Sequence, residues 1–189
     1  MSIVTKILTI ALFSYGACTF ASYASMTTLE GIATHLKETV QQVKQQSGLP
    51  VFYPSKVPIS DHSKLYIKMG VVEPGKSYVI DIDSEETCAI PQDCKIGHLR
   101  AELLADKDGK PTIEYNSNHK EVTVPVQLAD GIRGYYTPQH TGTGSQVYYE
   151  QIQWREQGVL YTIVWDLGKQ DAKHFLVDMA NSAISSGPR

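Results

Sequence analysis

Cysteine is scarce here, with three among 189 residues, and one of the three, Cys18, lies in the first twenty positions. The other two, Cys88 and Cys94, sit in the stretch TCAIPQDC. No second cysteine pair and no closely spaced pair of histidines follows, so tetrahedral zinc would lack ligands. Five residues separate the two thiols, too many for the C-x-x-C motif of a redox centre. Blocks of lysine and arginine are missing as well. The formal charge is −3, which argues against nucleic acid, whose binding needs a clustered basic face, and against anionic lipid. Beyond the first twenty-odd residues no apolar run approaches the ~20 residues that span a bilayer. Internal repeats, low-complexity linkers, a G-x-S-x-G elbow and an H-x-x-x-H helix are all absent.

What is present begins with an export signal. In MSIVTKILTIALFSYGACTFASYAS a single lysine, Lys6, precedes the apolar run Ile7 to Phe13 and then small residues. That order is the signature of a secretory leader. Ser22-Tyr23-Ala24 is the best small-x-small match, so residues 1–24 read as the signal peptide and 25–189 as one domain in the periplasm or outside the cell. The rival is a lipoprotein anchored at Cys18, after Tyr15-Gly16-Ala17; Tyr15 stands where such sites usually carry an aliphatic residue. Cleavage after Ala24 takes the formal charge to −4, since only Lys6 is lost, and leaves an even cysteine pair. In an oxidising compartment Cys88 and Cys94 read as a disulfide, worth about 2 kcal/mol for so short a loop. The ~165 remaining residues suit one core.

The pattern along the chain predicts an α+β fold, a twisted antiparallel sheet with an N-terminal and a C-terminal helix packed on it. Thr27-Thr28-Leu29-Glu30 has the form of a capping box, and Leu29, Ile32, Ala33, Leu36, Val40 and Val43 then recur at helical spacing until Gly48 and Pro50. LPVFYPSKVP is extended. Leu65, Ile67 and Met69 alternate against Tyr78, Ile80 and Ile82 across Glu73-Pro74-Gly75, a hairpin. A second hairpin is expected to turn between Asp106 and Gly109. Val122 to Leu128 alternate, with Pro125 demoting that strand to an edge or bulge. Tyr148 to Trp154 pair with Val159 to Leu167, a strand apolar on both sides and therefore central. A helix from about Gln170 turns Ala172, Phe175, Leu176, Met179 and Ala180 inward.

Residues able to do chemistry are dispersed. Of the six histidines, His98 and His140 border strands, where a general base could sit; the others fall in helices or polar loops. Asp81 and Asp83 share a strand face, but one segment alone does not supply the convergent oxygens of a calcium or magnesium site. DKDGK (106–110) brings its glycine too early for a calcium loop, and TGTGS (141–145) lacks the lysine of a phosphate cradle. Ser145 beside His140 has no third member. No catalytic residue, metal site or cofactor is therefore assigned. The aromatic cluster of GIRGYYTPQHTGTGSQVYYEQIQW stands out. Tyr135, Tyr136, His140, Tyr148 and Tyr149 are the candidate binding face, because one member of each tyrosine pair must point away from the core.

GIRGYYTP, IQWREQGVLYTIVW and FLVDMANSAI resemble the ends of small bacterial extracytoplasmic domains of the anti-sigma-associated or lipoprotein-carrier-like kind. The matching residues are Trp154, Gly158 and Tyr161 of a W-x₃-G-x-x-Y hairpin, with Ala180, Asn181 and Ser182 of the closing helix; LPVFYPSKVP is similar to the family's Pro-rich opening strand. The resemblance implies an exported structural frame and supplies no catalytic residues. The expectation is a binding or regulatory module for an envelope protein or small ligand, with no oligomeric state specified. The alternatives are an envelope hydrolase built on a histidine and a carboxylate, and a lipid or lipoprotein carrier with an apolar cavity.

Overall fold

The computed structural model describes residues 26–59, 64–87, 94–104, 123–141, 148–166 and 173–189. Two meanders make the sheet. In the first, β4 (Leu65–Glu73), β5 (Ser77–Asp83) and β6 (Lys95–Leu103) follow one another. Ile67 lies opposite Ile82, and Ile80 opposite Leu99. In the second, β7 (Val124–Gln127), a 3-10 turn (Ala129–Gly131), β8 (Arg133–Thr141), β9 (Tyr148–Glu156) and β10 (Val159–Trp165) succeed each other. β10 pairs with β6 and so joins the two, and with β2 (Ala33–Thr34) at one edge the order is β2-β4-β5-β6-β10-β9-β8-β7. Every pairing in this sheet is antiparallel except that of the two-residue β2 with β4. The fold is thus α+β, as the alternation and flanking helical patterns imply.

Local chemistry accounts for the joints. Glu73-Pro74-Gly75 closes the first hairpin with a Lys76 N–H to Glu73 carbonyl bond of 2.9 Å. Gln157 and Gly158 both hold positive φ, 52° and 82°, the mirror-image turn whose twist matches a two-residue hairpin. Pro125 does sit on an edge strand, β7, and all seven residues of β10 are buried in the middle of the sheet.

The N-terminal helix departs from expectation. The predicted continuous helix is four elements: β1 (Met26–Thr28), a single turn α1 (Leu29–Ile32), β2, and α2 (Leu36–Ser47). His35 turns the corner in the left-handed region at φ 63°. The capping box does not form. Thr27 Oγ1 donates instead to the Ile59 carbonyl at 2.9 Å, and Glu30 accepts from the Tyr53 hydroxyl at 3.2 Å. Strand pairing of Met26–Thr28 with β3 (Lys56–Pro58), and of Ala33–Thr34 with β4, wins over helix continuation.

α2 and α3 (Lys173–Ser186) both contribute to a single core with one face of the sheet. Leu36, Val40 and Val43 come from α2; Leu176, Met179, Ala180, Ala183 and Ile184 come from α3. They cover Ile67, Tyr78, Ile80, Leu99, Ala101, Ile152, Trp154, Tyr161, Ile163 and Trp165. The extended segment after α2 is strapped into this core. The Tyr161 and Tyr78 hydroxyls donate to the Pro50 carbonyl at 3.2 and 3.4 Å, and Phe52 packs edge-on to Tyr161 at 4.9 Å. No described helix is long and apolar enough to cross a membrane.

Candidate functional site

Because side chains alternate along a strand, the residues between the core positions project from the opposite face of the sheet. From β6 come His98, Arg100 and Glu102; from β10, Leu160, Thr162 and Val164; from β9, Gln151 and Gln153. Together they line a cleft of about 170 Å³. Leu160 and Val164 are buried yet stand apart from the main core, which marks this as a separate environment. Asp81 and Asp83 of β5 flank it, and Lys68 of β4 lies beyond them.

Charges on this face are mostly paired. Lys95 Nζ reaches Asp81 Oδ1 at 2.6 Å, Lys68 reaches Asp83 at 3.0 Å, and Arg100 reaches Glu102 at 2.9 Å. Asp81 lies directly across from His98 in the strand register, but its carboxylate is engaged by Lys95. Burial above all pulls the His98 pKa down from 6.5 to about 4; the Lys95 charge adds to this, Asp81 opposes it, and Arg100 adds again. The imidazole is therefore neutral near neutral pH. Its Nδ1 is buried with no hydrogen-bond partner. Gln153 Nε2 donates to Thr162 Oγ1 at 3.2 Å, while Gln153 Oε1 is likewise buried and unpartnered. A buried polar atom without a partner costs about 1–3 kcal/mol; both atoms are closed to the surface, and the groups the cleft presents outward are led by the half-exposed Arg100 and Glu102.

General-base catalysis is poorly served by this geometry. A histidine with a pKa near 4 is a weak base, and a carboxylate held by lysine does not orient it. His140 lies on β8, three strand spacings from β6, or roughly 14 Å between backbones. Among the described residues, no group of three or more His, Cys, Asp or Glu is placed to hold a metal ion.

The expected aromatic face divides. Tyr136 is in the core, 5% exposed, with its hydroxyl donating to the buried Glu150 at 2.8 Å. It lies opposite Ile152, and that register assigns it to the helix side, so Tyr136 is not part of an exposed face. Tyr135 projects to the other side, half-buried, with the Arg133 guanidinium 5.4 Å from its ring. His140 pairs with Tyr149 and Thr141 with Tyr148 in the β8–β9 ladder; the side chains of His140, Tyr148 and Tyr149 lie outside the described residues. So do Cys88, the 106–109 turn and Ser145. Cys94 is described and is buried at the start of β6.

The residues that carry the family resemblance have structural roles. Trp154 stacks on Tyr161 at 5.4 Å and Gly158 turns the hairpin. Asn181 Oδ1 accepts from the Ala129 N–H at 2.7 Å, and Ser182 Oγ accepts from the Ser55 N–H at 3.2 Å. Arg100, Gln151, Gln153 and Thr162 are missed by motif reasoning. Their only signal in the sequence is that polar residues occupy alternate positions of strands that are otherwise apolar. Comparison with known proteins returns no match, whether against family models, curated proteins or solved structures.

Proposed function

We propose that this chain is an exported, non-catalytic binding module that seats a polar side chain of an envelope protein on the sheet face opposite its helices. The observation that carries this reading is the cleft itself, where His98, Arg100, Glu102, Gln151, Gln153 and Thr162 bring polar side chains of three strands together on that face. Its volume of about 170 Å³ falls below the roughly 300–1,000 Å³ of small-molecule sites, so a protruding side chain suits it better than a free ligand. The hydrolase alternative has less support, since His98 is a weak base whose facing carboxylate is taken by Lys95. The lipid-carrier alternative needs an apolar cavity, and in this cleft only Leu160 and Val164 are apolar among His, Arg, Glu, Gln and Thr.

Export itself rests on the leader pattern of residues 1–24. The Cys88–Cys94 disulfide belongs to the same proposal. It is supported by the closure of that loop, where Ser84 bonds the Cys94 carbonyl through its N–H at 2.8 Å and its hydroxyl at 3.2 Å.

A photo-crosslinking residue at Arg100, whose side chain is half exposed, tests the binding face in native envelopes. One dominant protein adduct is expected, lost when Gln153→Leu is introduced alongside the probe. No adduct, or one indifferent to Gln153→Leu, would remove the basis for the proposal.

A further inference from the structure

A second groove lies away from the sheet's polar face, between α3 and the ribbon of β1 and β3. Its volume is about 420 Å³, within the range of small-molecule sites. Long-range ties build it. Ser182 Oγ accepts from the Ser55 N–H at 3.2 Å and donates to the Met179 carbonyl at 2.9 Å. The Arg189 N–H donates to the Val51 carbonyl at 3.0 Å, holding the end of the chain against the strap that leads into β3.

The two walls differ in charge. The α3 wall presents Asp178, Ser182, Ser185 and Ser186, positions four, seven and eight residues on from the first and hence one helix stripe. The ribbon wall presents Ser55 and Lys56. Among the described residues, Lys56 and Asp178 form no ion pair, either with each other or elsewhere. A cation and an anion thus line one groove without approaching within pairing distance. The groove also includes the last turn of α3, whose carbonyl end favours positive charge.

We propose that this groove binds a small zwitterion of the amino-acid class, a free amino acid or a short peptide. The carboxylate would pair with Lys56 and the ammonium with Asp178, and the serine hydroxyls would take the remaining polar atoms. The site is independent of the polar sheet face, so either can fail without the other.

Diglycine titrated into the isotope-labelled protein, followed by two-dimensional NMR, tests the assignment. Saturable shifts are expected at Ser55, Lys56 and Ser185, and none from N-acetyl-diglycine amide, which carries neither charge. Lys56→Gln and Asp178→Asn should each weaken diglycine about fivefold, the size of one half-solvated ion pair. Both side chains are exposed, so the spectrum of each variant should otherwise keep its dispersion. Phosphoethanolamine is the second arm, since a lipid headgroup offers the same pair of charges. Binding of phosphoethanolamine without diglycine would overturn the amino-acid assignment. Shifts that neither substitution weakens, or no saturable shift at all, would overturn the site.

Discussion

Acidification should cost this protein stability through His98 by an amount that follows from its burial. The imidazole titrates at about 4 in the fold against 6.5 when solvated. Between those values the unfolded chain binds a proton that the native chain refuses, so stability rises with pH across the window. The contribution is fully present above 6.5 and is lost as the pH falls through about 4. A pKa gap of one is worth 1.36 kcal/mol, so the whole gap amounts to roughly 3 kcal/mol, of which about 2 kcal/mol is already gone near pH 5. Carboxylates titrate in the same range, and Glu156 is shifted upward by burial and by Asp130, so wild type alone would not isolate the effect. The comparison is with His98→Gln, using urea unfolding at about pH 7 and about pH 5. Wild type should lose about 2 kcal/mol more than the variant, near 1 M in urea midpoint for a slope of about 2 kcal/mol/M. Equal losses in the two proteins would mean that His98 is solvated and that its nitrogen is not orphaned.

Two further outcomes test other parts of the structure. Gly97→Ala would drive a methyl group into the Val164 carbonyl oxygen and to 2.9 Å from Trp165 Cε3. A loss of about 3 kcal/mol in denaturant unfolding is expected for such overpacking, whereas Gly31→Ala, which meets nothing within 4 Å, should stay within ~0.5 kcal/mol; similar values for the two would refute the close approach of β6 and β10. The exported protein, unfolded without reductant, should show no reactive thiol, and Cys94→Ser should cost about 2 kcal/mol; two free thiols in that assay would end the disulfide reading.

Where local chemistry decides structure, the sequence was legible. Pro74-Gly75 and Gln157-Gly158 needed no distant information to mark turns, Pro125 pointed to an edge, and the unbroken apolarity from Val159 to Trp165 required a central strand. Long-range competition hid the rest. Leu29, Ile32 and Leu36 all turn inward whether or not the helix is continuous, so their spacing could not reveal that β3 and β4 capture residues on either side of α1. Alternation showed that Tyr135 and Tyr136 face opposite ways, but only the pairing of Tyr136 with Ile152, and of Tyr135 with Gln153, decides which one is core. The polar cleft combines β6 with β9 and β10, segments about fifty residues apart, and no local pattern announces that they meet.

The seam between β6 and β10 has a consequence for how this polypeptide comes into being. Residues 95–103 pair early with β5 but find their second neighbour only at residues 159–165, and α3 packs on later still. A chain emerging from its N-terminus already carries α2 to cover Ile67 and Ile80, but it leaves the β10-facing edge of β6 unpaired until residue 159 has been synthesised. Closure over such sequence separations is slow, on the scale of milliseconds to seconds for sheet-rich domains. If the export proposed above holds, that interval would keep the newborn chain extended, the form a narrow secretion channel admits.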